Sequence, residues 1–134
     1  MSWAPFPRVS HTVTTTEIDA YAARSGDRNP LHVDPAFAAA GPFGTIVAHG
    51  PIGLQTVFEA LTHWLGADQL PPGGLADVAF RGPVRAGDTI TCTAAPPEAH
   101  AGDVLVRAVC RNQDGGLVLE ALVVVPRQLA PRVH

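Results

Sequence analysis

Asp27 and His32, a carboxylate and an imidazole, sit together in Ser25-Gly26-Asp27-Arg28-Asn29-Pro30-Leu31-His32. Gly26, Asn29 and Pro30 are residues that punctuate a chain. Pro30 also biases Asn29 away from the helical region. Asp27 and His32 are therefore expected on a short, bent, non-helical loop that points both side chains into one cleft. Further on, Ile46-Val47-Ala48-His49-Gly50 ends where an amphipathic pattern begins with Pro51. Proline suits a first helical turn, because its missing N–H would have been unpaired there anyway. A helix start offers free backbone donors and a partial positive charge. An acid/base pair beside a backbone anion site is the equipment for chemistry at a carbonyl.

The elements that must position these groups follow from the pattern of apolar residues. Residues 1–8 are Pro-rich and read as irregular. A first strand is expected over 9–15. Thr16 before Glu17-Ile18-Asp19 reads as a helix start, a capping hydroxyl with carboxylates in the first turn. That helix, 17–25, ends at Gly26. Asp34-Pro35 opens a short helix through Ala40, with Asp34 as cap, and Gly41-Pro42 ends it. The longest helix runs from Pro51 to Leu65, with Leu54, Val57, Phe58, Leu61 and Trp64 at three- and four-residue spacing. Fifteen residues span about 22 Å, enough to cross a small sheet. Gln69 to Gly74 reads as a loop.

The second half changes to strand-like runs: Leu75 to Gly82, Asp88 to Pro96, Asp103 to Asn112 and Gly116 to Pro126. Short turn sequences join them, which predicts antiparallel hairpins. The last run is apolar on both faces apart from Glu120 and wants cover on both sides. The tail, 127–134, reads as loose. The expected architecture is α+β: a five-stranded antiparallel sheet with one long helix against it, in a single domain spanning 1–134. One helix leaves the edges and the other face of such a sheet unprotected, so a homodimer is expected.

Composition excludes several classes. A net charge of -3 argues against a nucleic-acid surface. No apolar run reaches transmembrane length, and the N-terminus is unlike a signal peptide. A cytoplasmic protein without membrane association is the expectation. All nine basic residues are Arg, so Schiff-base and P-loop lysine chemistry are out. No G-x-S-x-G surrounds Ser2, Ser10 or Ser25, and there is no G-x-G-x-x-G. Cys92 and Cys110 fall on alternating patterns and read as small buried hydrophobes rather than a redox pair. No cofactor is expected, and the spacing of Asp27, His32, Asp34 and His49 fits no standard metal-ligand pattern.

The two blocks together resemble those of the MaoC-like (R)-specific enoyl-CoA hydratases. The match is carried by Ser25-Gly26-Asp27-x-Asn29-Pro30-Leu31-His32-x-Asp34 and by Ile46-Val47-Ala48-His49-Gly50, with seventeen positions from His32 to His49. Phe80-Arg81-Gly82-Pro83-Val84-Arg85-Ala86-Gly87-Asp88 is similar to the next block of that family. The resemblance runs from about residue 12 to 126. It implies a hot-dog fold, in which the sheet wraps around the long helix and pairs into dimers. It also implies addition of water to trans-2-enoyl thioesters, giving (R)-3-hydroxyacyl products, or the reverse dehydration. The substrate would be an acyl-CoA or an acyl-carrier thioester.

On this resemblance, Asp27 and His32 form the acid/base unit that holds the attacking water and returns a proton to Cα. Gly50 offers its N–H to the thioester oxygen. Asn29 holds the loop, and His49 braces it rather than reacting, both beside the substrate. Arg81 and Arg85 are candidates for the carrier phosphates, because guanidinium forks suit phosphate; solvated surface arginines are the plainer alternative. Ser25 and Asp34 read as structural. Two departures stand out: Pro51-Ile52 where Met or Leu is common, and Phe58 where some members carry a small hydroxyl residue. The alternatives are a 3-hydroxyacyl-carrier dehydratase of fatty-acid or polyketide synthesis, a hot-dog thioesterase and a non-catalytic partner subunit.

Overall fold

The computed structural model describes residues 2–69 and 72–133. Met1, His134 and, in the Gln69–Gly74 loop, Leu70 and Pro71 lie outside the described residues. In chain order the elements are β1 (Val9–Thr12), α1 (Thr15–Ser25), α2 (Pro30–Val33), α3 (Pro35–Ala40), α4 (Gly50–Leu65), β2 (Leu75–Phe80), β3 (Thr89–Ala94), β4 (Glu98–His100), β5 (Asp103–Arg111) and β6 (Leu117–Pro126). A 3-10 turn, Arg127–Leu129, follows.

One antiparallel sheet runs in the order β1-β3-β5-β6-β2. The expected five strands gain a sixth, β4, which pairs with β5 on the side that β3 occupies. It is the outer end of the β3 run, interrupted at Pro96-Pro97 because proline cannot donate to the ladder. The first strand stops at Thr12 rather than at residue 15. The helix after it starts two residues earlier than expected. Thr14, not Thr16, is the cap: its Oγ1 accepts from Glu17 N at 3.1 Å, as a T-x-x-E sequence favours. The Glu17 carboxylate turns away to His11 Nε2, 2.8 Å distant.

Helix α4 contacts β1, β3, β5 and β6, so the sheet wraps it. Its buried residues Ile52, Val57, Ala60, Leu61 and Trp64 join Ile90, Cys92, Val106, Cys110, Leu119, Val123 and Val125 in one core. Each such side chain contributes about 1.5–3 kcal/mol on burial. The outer face of β6 is only partly covered within one chain, where Leu122 remains 39% exposed.

The ends of the chain are not loose. Ala4 N donates to Pro131 O at 2.8 Å, and Val133 N to Ser2 O at 3.1 Å. This strap lies over the C-terminal part of α4, where Trp64 Nε1 donates to Ala4 O at 2.8 Å and the Trp64 ring meets Phe6. A buried indole N–H needs an acceptor, and the irregular N-terminal segment supplies it.

Candidate active site

The Asp27 loop is built from a relay of side-chain caps. Helix α1 closes at Gly26, whose φ of 78° is left-handed and favours glycine. Ser25 Oγ then accepts from Asp27 N at 3.1 Å, Asp27 Oδ1 from Asn29 N at 3.3 Å, and Asn29 Oδ1 from Leu31 N at 3.1 Å. Asn29 thereby caps α2, with Pro30 at its first position. This corrects the non-helical expectation for His32. Proline after a capping residue starts one helical turn here, and His32 projects from it. Asp27 stays outside that turn, so the two groups still do not share a helix. Asp34 both ends α2 and caps α3, its Oδ1 accepting from Ala36 N and Phe37 N at 3.1 Å each.

The second block threads between this loop and residues 84–86. Val47 N donates to Leu31 O at 3.0 Å, Ala48 N to Val84 O at 2.8 Å, and Ala86 N to Ile46 O at 3.0 Å. These bonds fix Val47 O where it accepts from His32 Nδ1 at 2.6 Å. A carbonyl only accepts, so His32 Nδ1 donates; in the neutral ring Nε2 carries the lone pair. Nε2 stands 3.9 Å from Asp27 Oδ2. That is too long for a direct hydrogen bond, but one oxygen atom can contact both. The Asp27 side chain is 55% exposed and that of His32 16%.

His49 is buried at 3% exposure. Its Nε2 donates to the main-chain oxygen of Asp27 at 2.8 Å. Its ring stacks on His32, with centroids 3.8 Å apart and planes at 26°. Tyr21, read only as one apolar position of α1, lies against His49, with ring centroids 4.6 Å apart. No local sequence signal marks that contact. Gly50 is the first residue of α4, so its N–H has no intrahelical acceptor. A Cβ placed there would stand 3.2 Å from the Phe80 ring, so the end of β2 borders this helix start.

Donor atoms of Asp27, His32 and His49 lie within 4.8 Å of one another. The two imidazoles lie in nearly parallel planes, and His49 Nε2 is spent on a carbonyl. The two candidate arginines are engaged elsewhere. Arg81 Nε bonds Glu120 at 3.0 Å, and Arg85 Nε donates to Phe43 O at 3.2 Å. Phe58 lines an apolar cavity of about 180 Å³ with Leu61, Leu75, Ala76 and Val123. A shallower one of about 450 Å³ opens beside the catalytic-looking loop, at Asn29, Leu31 and Phe37.

Comparison with known proteins gives the same picture. The family model described as "MaoC like domain" matches residues 4–109. A 3-hydroxybutyryl-CoA dehydratase of Methylorubrum extorquens is 32% identical over 123 residues, covering 87% of this chain and 75% of that protein. An (R)-specific enoyl-CoA hydratase of Aeromonas caviae is 41% identical over 88 residues. That match covers 63% of this chain and 62% of the hydratase, less than two thirds of its length. The solved (R)-hydratase of A. caviae superposes with a TM-score of 0.75 at 26% identity, covering 94% of this chain and 96% of that one.

Proposed function

This chain belongs to the MaoC-like domain family, and on that premise we propose that it reversibly hydrates trans-2-enoyl thioesters to (R)-3-hydroxyacyl thioesters. Water sits between Asp27 Oδ2 and His32 Nε2 and attacks Cβ. The Cβ–O bond forms as the C=C π pair shifts toward the thioester oxygen. That oxygen gains negative charge and is met by the Gly50 N–H. The acid/base unit takes one proton from the water, and one proton is delivered to Cα. Positioned proton transfer of this kind contributes about 10²–10⁴ in rate.

The observation that carries the reading is the 3.9 Å gap between two acceptors, with His32 held in one tautomer by Val47 O. Such a gap suits a water that donates to both. A thioesterase would instead need a carboxylate aimed at water near the carbonyl carbon. Dehydration of 3-hydroxyacyl thioesters is the same path reversed, and the relative named a 3-hydroxybutyryl-CoA dehydratase favours it as the second reading. No helix among the described residues is long and apolar enough to cross a membrane. A second copy of the chain is part of the proposal. The edge strand β2 exposes Leu75 and Phe80, at 73% and 54%, and Phe80 lies against the start of α4 at Gly50.

The test is a panel of trans-2-enoyl-CoA thioesters incubated with the purified protein. Loss of the conjugated-enone absorbance with an (R)-3-hydroxy product on a chiral column is the expected outcome. Release of free thiol without hydration refutes the assignment.

A further inference from the structure

We infer that His49 is a positioning residue that ties both members of the acid/base pair to the start of α4. The inference rests on the proposed hydration and deepens it. One side chain makes two contacts. Its Nε2–H holds the Asp27 main-chain oxygen at 2.8 Å, and its ring face lies 3.8 Å from the His32 ring. Its backbone is the cap residue of α4, directly before the Gly50 N–H. Carboxylate, imidazole and oxyanion donor, from two separate stretches of chain, are thus joined through a single residue.

Two further observations argue that this is a held geometry rather than incidental packing. A donor at Nε2 leaves the Nδ1 lone pair, and Nδ1 is buried with no partner among the described residues. Leaving a buried acceptor unmet costs about 1–3 kcal/mol, so packing alone would be served better by an apolar ring. Tyr21 is a second ring against His49, with centroids 4.6 Å apart. The imidazole thus meets both the Tyr21 and His32 rings, with its N–H directed at the Asp27 main-chain oxygen. Loss of that tether lets the Asp27 loop shift relative to His32, and a misplacement of about 1 Å can cost about 10² in rate. Substrate binding, which does not depend on the water's placement, is left nearly as it was.

The experiment compares His49→Phe, which keeps a flat ring but removes the donor, with His49→Gln, which returns an N–H without the ring. On an enoyl-CoA substrate, His49→Phe is expected to lower kcat about 10²-fold with KM within about threefold. His49→Gln should recover at least part of that loss. A His49→Phe enzyme with kcat within threefold of the parent, or one that loses only KM, overturns the inference. Nitrogen-15 NMR of the unmodified protein gives a readout that needs neither activity nor a folded variant. The expected tautomers are Nε2–H for His49 and Nδ1–H for His32, and a His49 proton on Nδ1 overturns the tether. If the parent hydrates no enoyl thioester, the functional reading fails while the NMR result still decides the tether.

Discussion

Replacing Gly50 by proline removes one N–H, and set against Gly50→Ala it is the sharpest probe of the oxyanion donor. Proline is favoured at the first helical position, where the N–H has no intrahelical partner. The residue before a proline must be extended, and His49 already is, with φ -61° and ψ 145°. The φ of Gly50 lies outside the left-handed region, and the crowding of any side chain at this position by the following Pro51 is common to the proline and alanine variants. The new Cβ would stand 3.2 Å from Cε1 and Cζ of Phe80, and that ring is 54% exposed and free to yield. Gly50→Ala adds the same Cβ and keeps the N–H, so the ratio of the two variants isolates the donor. One oxyanion donor is worth about 3–4 kcal/mol, or roughly 10²–10³ in kcat. Initial rates on a trans-2-enoyl-CoA, with circular dichroism and Tm to check the fold, measure it. A proline variant retaining more than about a third of the alanine variant's kcat would falsify the role given to this N–H.

Asp27→Asn and His32→Ala should each remove about 10²–10⁴ of the hydration rate with the far-UV spectrum unchanged; near-normal turnover in either sinks the acid/base assignment. Asp34→Ala deletes a cap that serves two N–H groups. It should cost about 1 kcal/mol and lower Tm by about 4 °C in a calorimetric scan. Cys92 and Cys110 face one another across β3 and β5 and are both buried. The contact with Cys92 and then burial push the Cys110 thiol well above its ordinary range. A thiol reagent should therefore titrate neither in the native protein and both after unfolding, and fast native labelling would contradict the packing.

Local pattern was enough for much of the molecule. The spacing of Leu54, Val57, Leu61 and Trp64 marks α4 because helical burial repeats every three to four residues. Glycine-rich turns mark the β4–β5 and β5–β6 hairpins, and Asp34 before Pro35 marks the start of α3; the Arg85–Asp88 turn, expected to close a hairpin as well, does not, because β2 pairs with β6 and β3 with β1 and β5. Asp27 and His32, proposed for the site, were legible because their chemistry is carried by side-chain identity, and Gly50 because Pro51 after it marks a helix start. What distinguishes one cap from its neighbour was less so. Thr14, Thr15 and Thr16 can all cap a helix, and only the start of the helix selects Thr14.

The tertiary structure alone decided the relations between distant stretches. The chain-end strap exists because Trp64 needs an acceptor sixty positions away, which no window of sequence can display. The His32 tautomer depends on the Val47 carbonyl, and that carbonyl is fixed by the hydrogen bonds of residues 46–48 with Leu31, Val84 and Ala86. Periodicity reports which face of an element is buried, not which backbone oxygen from elsewhere will meet it. The 3.9 Å between Asp27 and His32, and the buried imidazole of His49 that borders both, are consequences of how those stretches pack.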